Sequence, residues 1–224
     1  MNSTRKNEGM AWPGSKRPLQ IGLLVCAVGL GADVGAQTKA WSTTQTDNGK
    51  TTVKYHVTER TDENGSRVPL IEYVVTTTDN VSMQKCVALM KDVSRHKDLA
   101  IADASEKVKT VSDNEWIVYY YLSAPGPIPD SDIVARMTLA EDATEKTAVF
   151  TQTAAPSLYE KKGVKRFSLY NMTYRFKDLG NGQTEVTLNA AMSPAMNVPL
   201  WLIKASFPDS ATKVVRNIVT LARK

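Results

Sequence analysis

The strongest periodic signal lies near the C-terminus. Val198 to Lys224 reads as one long helix with Trp201, Ala205, Ala211, Val215, Ile218 and Ala222 on one side and Val214 and Leu221 beside them. Lys204, Lys213, Arg216, Asn217 and Arg223 fall mostly elsewhere, as a 3.6-residue period demands. Such a helix must lie on an apolar surface. Pro208 cannot donate to the carbonyl of Lys204, so the pattern predicts a kink or break there, with Asp209 or Ser210 capping the turn that follows.

A second helix is predicted over Val81–Arg95, where Met83, Cys86, Val87, Met90 and Val93 recur at helical spacing behind an Asp79-Asn80 N-cap. Elsewhere the period is two. Thr52 to Thr58 alternates with Val53, Tyr55 and Val57 on one side, the tract Thr61 to Ser66 is a turn by composition, and Val68 to Thr77 returns as the partner strand of a hairpin. Ile101–Val111, Glu115–Ser123, Ile133–Ala140, Thr147–Ala154, Arg166–Lys177 and Thr184–Met192 read as further strands. Short polar or glycine-containing turns join them, which favours antiparallel neighbours. No repeat or linker interrupts the series, so one α+β domain is expected.

Two helices are few for roughly eight strands, several of which are apolar on both faces. Trp116, Val118, Tyr120 and Leu122 line one side of their strand and Ile117, Tyr119 and Tyr121 the other, while Tyr170, Met172, Tyr174 and Phe176 share a side of a later one. One reading is a sheet covered by helices, with the aromatics as ordinary core. The other is a sheet bent around a hollow whose inner side chains hold a ligand. The pattern alone admits both.

Composition changes this picture mainly at the N-terminus. The chain of 224 residues is 42% hydrophobic, enough for one good core. Residues 1–36 have the layout of a secretory signal: basic Lys16 and Arg17, an apolar run from Leu19 to Ala32, and small residues at Val34-Gly35-Ala36. The run is shorter than the roughly 20 apolar residues of a membrane helix, and Gly22, Gly29 and Gly31 break it. It therefore reads as a cleaved signal in preference to an anchor. Cys26 raises a lipoprotein alternative that Val25 before it fits poorly, and translation could start at Met1 or Met10. Removing Arg5, Lys6, Lys16 and Arg17 with Glu8 and Asp33 lowers the net charge from +5 to +3 and leaves Cys86 as the one cysteine, so no internal disulfide is expected. The folded domain is then 37–224, exported and expected in the periplasm. A charge this modest argues against nucleic acid, and the cluster from Lys161 to Arg166 reads as a solvated loop, although it could also meet an anionic lipid surface.

Candidate chemistry is sparse. His56 and His96 lie far from any acidic or cysteine cluster with ligand spacing, and Gly163, Gly180 and Gly182 are scattered turn glycines, so neither a metal nor a phosphate loop is expected. Cys86 falls on the apolar stripe of its helix, where an inert buried thiol is the ordinary outcome. His96 in Arg95-His96-Lys97-Asp98 reads as a helix end, where positive charge is favoured. Arg136, at strand parity with Val134 and Thr138, either faces solvent, joins an ion pair, or anchors a polar group of a bound amphiphile. No set of residues marks an active site, so no cofactor and no catalysis are expected.

The stretch Pro125-Gly126-Pro127-Ile128-Pro129-Asp130-Ser131-Asp132-Ile133-Val134 resembles the START (StAR-related lipid transfer) domain family, in which Pro-x-Pro at a strand end precedes an Arg-Asp pair and an apolar strand. Pro125, Pro127, Asp132, Ile133 and Val134 match, and Ser131 stands where arginine is usual. Thr184-Glu185-Val186 and Pro199-Leu200-Trp201-Leu202 resemble the family's second signature, with Lys204 and Asn197 replacing an asparagine and a glycine. The order of elements agrees over residues 41–224. The resemblance implies a helix-grip fold, a curved antiparallel sheet wrapped around the C-terminal helix and enclosing a hydrophobic cavity for one lipid or similar molecule.

On that fold, and on one choice of strand parity, the ligand-binding residues are Tyr119, Tyr121, Arg136, Phe150, Tyr170, Met172, Tyr174, Met192, Trp201, Val215 and Ile218. The expected function is binding or transfer of a lipid or other hydrophobic small molecule by a monomer that touches a membrane surface transiently. The C-terminal helix and the loop Ala155 to Lys165 would gate the cavity. The alternative is a helix-grip enzyme of cyclase or hydrolase type acting on a hydrophobic substrate, and a third reading is an interaction module with a filled core.

Overall fold

The computed structural model describes residues 40–124, 128–160, 163–194 and 196–224. The signal segment predicted over residues 1–36 and the Pro125-Gly126-Pro127 part of the motif lie outside the described residues. In chain order the elements are β1 (Ser42–Thr46), β2 (Thr51–Thr61), β3 (Arg67–Asn80), α1 (Met83–Lys91), a 3-10 segment (Val93–Leu99), β4 (Ala104–Ser112), β5 (Glu115–Leu122), β6 (Ser131–Asp142), β7 (Thr147–Ala154), a 3-10 turn (Pro156–Leu158), β8 (Lys165–Arg166), β9 (Leu169–Gly180), β10 (Gln183–Ser193), α2 (Leu200–Ala205) and α3 (Asp209–Ala222).

All the strands join one sheet in the order β1-β2-β3-β10-β9-β7-β6-β5-β4, antiparallel throughout, with the short β8 added parallel to β6. The registers set apolar residues of one face opposite each other. Val53 faces Val75 across the first hairpin, and Phe150 and Leu188 both face Tyr174 on β9. Because side chains alternate along a strand, these registers send one set of apolar residues to the concave side. There Trp116, Val118, Tyr120, Met137, Phe150, Tyr174, Phe176 and Leu188 form a single core with Cys86 and Met90 of α1 and Val214, Val215, Ile218 and Val219 of α3. This is the α+β helix-grip architecture that the family resemblance implied.

The elements depart from expectation where pairing or packing overrides local preference. Asp79 and Asn80 do not cap α1: they extend β3 as partners of Thr184 and Gln183, and Ser82 takes the cap position without a side-chain bond. The helix ends at Lys91, and Val93 to Leu99 tightens into a 3-10 segment closed by Ala100 in a left-handed conformation. The C-terminal helix is broken in two, as Pro208 predicted, but neither Asp209 nor Ser210 caps α3 through its side chain. The break is instead closed on the main chain, with Phe207 N–H donating to Lys204 and Ser210 N–H to Ser206. β1 escaped notice because its sequence, Ser-Thr-Thr-Gln-Thr, has no apolar alternation.

The convex side carries a smaller cluster of Ile117, Tyr119 and Val134, packed by Val108, Tyr121 and Tyr159. Next to it Asp132 is fully buried, and Arg166 answers it with two bonds, Nε to Oδ1 at 3.0 Å and Nη2 to Oδ2 at 2.7 Å. Arg166 also donates to the carbonyls of Pro156 and Tyr159, fixing the chain between β7 and β8 to this face. The partner expected beside Asp132 in sequence, where Ser131 stands, comes from β8 instead. Removing Arg166 would leave a buried carboxylate unpaired, so Arg166→Met is expected to cost about 3–5 kcal/mol. Arg136→Ala, at a half-exposed pair with Glu115, should cost under about 1 kcal/mol. Urea denaturation of the two variants beside the parent chain measures the difference.

Candidate functional site

The concave face is not filled everywhere. Between β3, β9 and β10 on one side and α2 and the first turn of α3 on the other lies a cavity of about 290 Å³. Its sheet wall includes Ile71, Tyr73, Tyr170, Met172, Tyr174 and Met192. Ile203, Phe207, Ala211 and Val214 close it from the helical side, and Ile101, Leu122 and Ile133 complete the rim. No Asp, Glu, Lys, Arg, His or Cys lines it. The volume falls just below the roughly 300–1,000 Å³ usual for small-molecule pockets. A polar pocket of about 500 Å³ shares Ala100, Ile101 and Leu122 with it and carries Lys97, Asp98, Asp103 and Lys213.

α2 and the start of α3 cover the cavity on its helical side. Phe207, at the break between them, stacks on Tyr55 with centroids 5.0 Å apart and meets Tyr73 edge-on at 5.5 Å. No α2 residue is buried, and Trp201 is 70% exposed. The sequence placed Trp201 inward because it carried one helical phase from Trp201 to Ala222. The non-helical residues Ser206, Phe207 and Pro208 reset that phase, so Ile203 and Phe207 face the cavity and Trp201 and Ala205 face out.

The structure brings together Tyr170, Met172, Tyr174 and Met192 of the residues read as ligand-binding. Tyr119 and Tyr121 do not join them: they belong to the convex cluster, one residue out of phase with Tyr120 and Leu122. Arg136 shares that outer parity, half exposed and paired with Glu115, which corrects its reading as a polar anchor. Phe150 is core between Trp116 and Phe176. Val215 and Ile218 are buried under α3, but Ala211 and Val214 are the residues of that helix that reach the cavity. None of the described residues of 155–165 lines the cavity. Sequence reading also missed Tyr73 and Ile71, although their alternation with Val75 was visible in the second strand.

Behind Tyr170 runs a buried chain of hydrogen bonds. His96 Nε2 meets the Met90 carbonyl at 2.9 Å and Nδ1 meets the Tyr120 hydroxyl at 2.8 Å. Gln152 Nε2 donates to the same hydroxyl at 2.9 Å, and Gln152 Oε1 accepts from Tyr170 at 3.1 Å. A carbonyl only accepts, so Nε2 carries the proton of a neutral ring and Nδ1 accepts from Tyr120. His96 is thus not a charged helix end. Burial lowers its pKa from 6.5 to about 4, and burial likewise raises the hydroxyls of Tyr73, Tyr120, Tyr170 and Tyr174. Burial also pushes the Cys86 thiol up to about 12, which keeps it unreactive. Among the described residues no cluster could hold a metal ion, and no helix is long and apolar enough to cross a membrane.

Comparison with known proteins places this geometry. No family model matches the chain. An uncharacterized protein of Pseudomonas aeruginosa is 27% identical over 142 residues, covering 61% of this chain and 68% of its own. A STAR-related lipid transfer protein from Xanthomonas axonopodis superposes with a TM-score of 0.68 at 19% identity, over 82% of this chain and 99% of that one. Human STARD10 does so with a TM-score of 0.65 at 14% identity, over 82% and 73%. The Zhui aromatase/cyclase of a Streptomyces species reaches 0.50 at 11% identity, over 69% and 94%. The chain has the helix-grip fold of the START domains, and that fold is also the frame of an enzyme.

The neutral His96 makes stability depend on pH. The unfolded chain takes up the proton near pH 6.5 and the folded protein only near pH 4. Between these values the unfolded state binds more protons, so stability falls as pH falls through this window, by up to about 3 kcal/mol, and levels off below it. Urea midpoints measured from pH 7 to pH 4 should show this loss, and His96→Gln should flatten it.

Proposed function

We propose that this protein binds a lipid or similar apolar small molecule in the cavity beneath α2 and carries it in soluble form. The observation that bears this reading is the cavity itself, walled by apolar and tyrosine side chains and closed by a short helix with no buried residue. Burial of apolar surface, at about 25 cal/mol per Å², supplies the affinity. A carrier is supported over an enzyme by the lining, which offers no carboxylate, imidazole, amine or thiol, only the hydroxyls of its tyrosines and of Ser206 and Ser210. The signal-like residues 1–36 support export, with the periplasm as the place of action.

The lid also supplies the point of contact with a membrane. Trp201 is 70% and Leu202 38% exposed on its outer side, and Lys204 stands beside them. An indole and a cation in one helical turn suit the interface of a bilayer. Ligand entry then requires α2 to swing about residues 206–208.

Organic extraction of the purified protein followed by mass spectrometry is expected to release a bound apolar molecule. A clean extract, together with no uptake of sterols, phospholipids or fatty acids, sinks the carrier reading. Hydrogen exchange should find amides 200–207 faster than those of β9 and β10, and equal protection would count against a moving lid. Trp201→Ala should slow ligand transfer between vesicles severalfold and leave equilibrium affinity unchanged.

A further inference from the structure

The last two turns of α3 stand over a second hollow, at the end of that helix away from α2. It measures about 350 Å³, more than the apolar cavity, and lies between α3, the β1–β2 turn and the end of β3. Arg216, Thr220 and Arg223 line it from the helix, where spacings of three and four residues put them on one face. Asp47 and Lys50 line it from the turn, and Asp79 from β3.

Two ion pairs border the hollow. Arg216 gives Nε and Nη2 to Oδ1 of Asp47, at 3.2 and 2.6 Å, while Thr51 and Thr46 donate to the other oxygen at 2.9 and 3.5 Å. Arg223 gives Nη2 to Oδ1 of Asp79, which also accepts from the Asn80 N–H at 2.7 Å. Stapling the helix end to the sheet accounts for these bonds, but it leaves donors over. Nη1 of each arginine and Nζ of Lys50 make no hydrogen bond or ion pair among the described residues. Acceptors are nearly used up, since both oxygens of Asp47 and one of Asp79 are taken.

Charge points the same way. Three cations line the hollow against two carboxylates, and Lys85 of α1 donates to the Arg223 carbonyl, where it offsets the negative end of the helix dipole. Spare N–H donors with an excess of positive charge suit an anion, and the planar fork of arginine matches an oxyanion well. A carboxylate accepts through two oxygens in one plane. A tetrahedral oxyanion spreads its oxygens in three dimensions and can answer donors that reach it from both the helix and the turn.

We propose that this hollow is a binding site for a phosphate-class oxyanion, held by Lys50, Arg216 and Arg223. Asp47 and Asp79 are positioning residues that aim the two guanidinium groups. The site is separate from the cavity beneath α2 and does not depend on what that cavity carries.

NMR titration of the labelled protein with sodium phosphate at constant ionic strength tests it, with chloride as the reference anion. Phosphate should give saturable shifts of the amides of 47–51 and 216–223. Lys50→Gln removes a side chain that has no other partner and should weaken phosphate about threefold, the worth of one exposed charge pair. Lys213→Gln, which removes a charge from the same helix outside the hollow, should leave the affinity unchanged. Glycerol 3-phosphate titrated in parallel separates the sources: tighter binding than inorganic phosphate assigns the site to an organic phosphate, and equal or weaker binding assigns it to the free ion. Shifts that match those of chloride, shifts that never saturate, or a Lys50→Gln affinity no lower than that of Lys213→Gln overturns the site.

Discussion

A curved sheet offers more concave apolar surface than its helices can cover, and the remainder of the fold follows from how that surface is divided. α3 takes the largest share with small and β-branched residues, Ala211, Val214, Val215, Ile218, Val219 and Ala222, whose compact side chains bring the helix close to the strands. α1 covers the part over β7 and β9 with Cys86, Leu89 and Met90. What is left lies in front of Ile71, Tyr73, Met172 and Tyr174, and only a six-residue helix is available for it. Six residues cannot bury an apolar stripe of their own, so α2 spans the gap as a roof with Ile203 and Phe207 turned inward. The cavity is the unfilled remainder of a covering problem, and the aromatic stack of Phe207 on Tyr55 holds its roof in place.

Much of this was legible from period and punctuation. The long strands from β2 to β10, the first hairpin and the break at Pro208 follow from alternation, turn composition and a missing donor. What was not legible depends on the partner of each residue. Tyr119, Tyr120 and Tyr121 are chemically alike, and only the register of β5 against β6 sends Tyr120 inward and its neighbours out. Trp201 was misplaced because a helical phase cannot be carried across non-helical residues. Arg166 lies 34 positions beyond Asp132 and reaches it through a parallel stub of two residues that no periodicity announces. His96 sits among charged neighbours in sequence, yet the 3-10 turn points it inward to Tyr120.

The polar groups are partitioned as strictly as the apolar ones. Inside, the chain from Met90 through His96, Tyr120 and Gln152 to Tyr170 contains no formal charge, because burial holds the imidazole neutral and the phenols protonated. A charge at any point of that chain would lack a counter-ion. Charged pairs lie on the other face or at the ends: Arg136 with Glu115 and Arg175 with Glu185 on the sheet, Arg216 with Asp47 and Arg223 with Asp79 beside α3. The interior can thus carry hydrogen-bond direction without paying the far larger cost of ionisation.

This partition also sets how firmly each end of the helical cover is held. The C-terminal half of α3 is tied to its surroundings at several points. Arg216 reaches Asp47 in the β1–β2 turn, Arg223 reaches Asp79 at the end of β3, Asn217 donates to the Asp98 carbonyl, and Lys85 of α1 donates to the Arg223 carbonyl. Among the described residues no side chain of α2 makes a hydrogen bond or ion pair to the sheet. Its hold is apolar contact alone, through Ile203 and Phe207, and contact of that kind is recovered as readily against a ligand's hydrocarbon as against the sheet. Opening at α2 therefore breaks no directional bond, whereas opening at α3 would break four such ties and uncover the core. The opening proposed above would therefore pivot between the two helices, at Ser206, Phe207 and Pro208, where the helical hydrogen-bond ladder is interrupted.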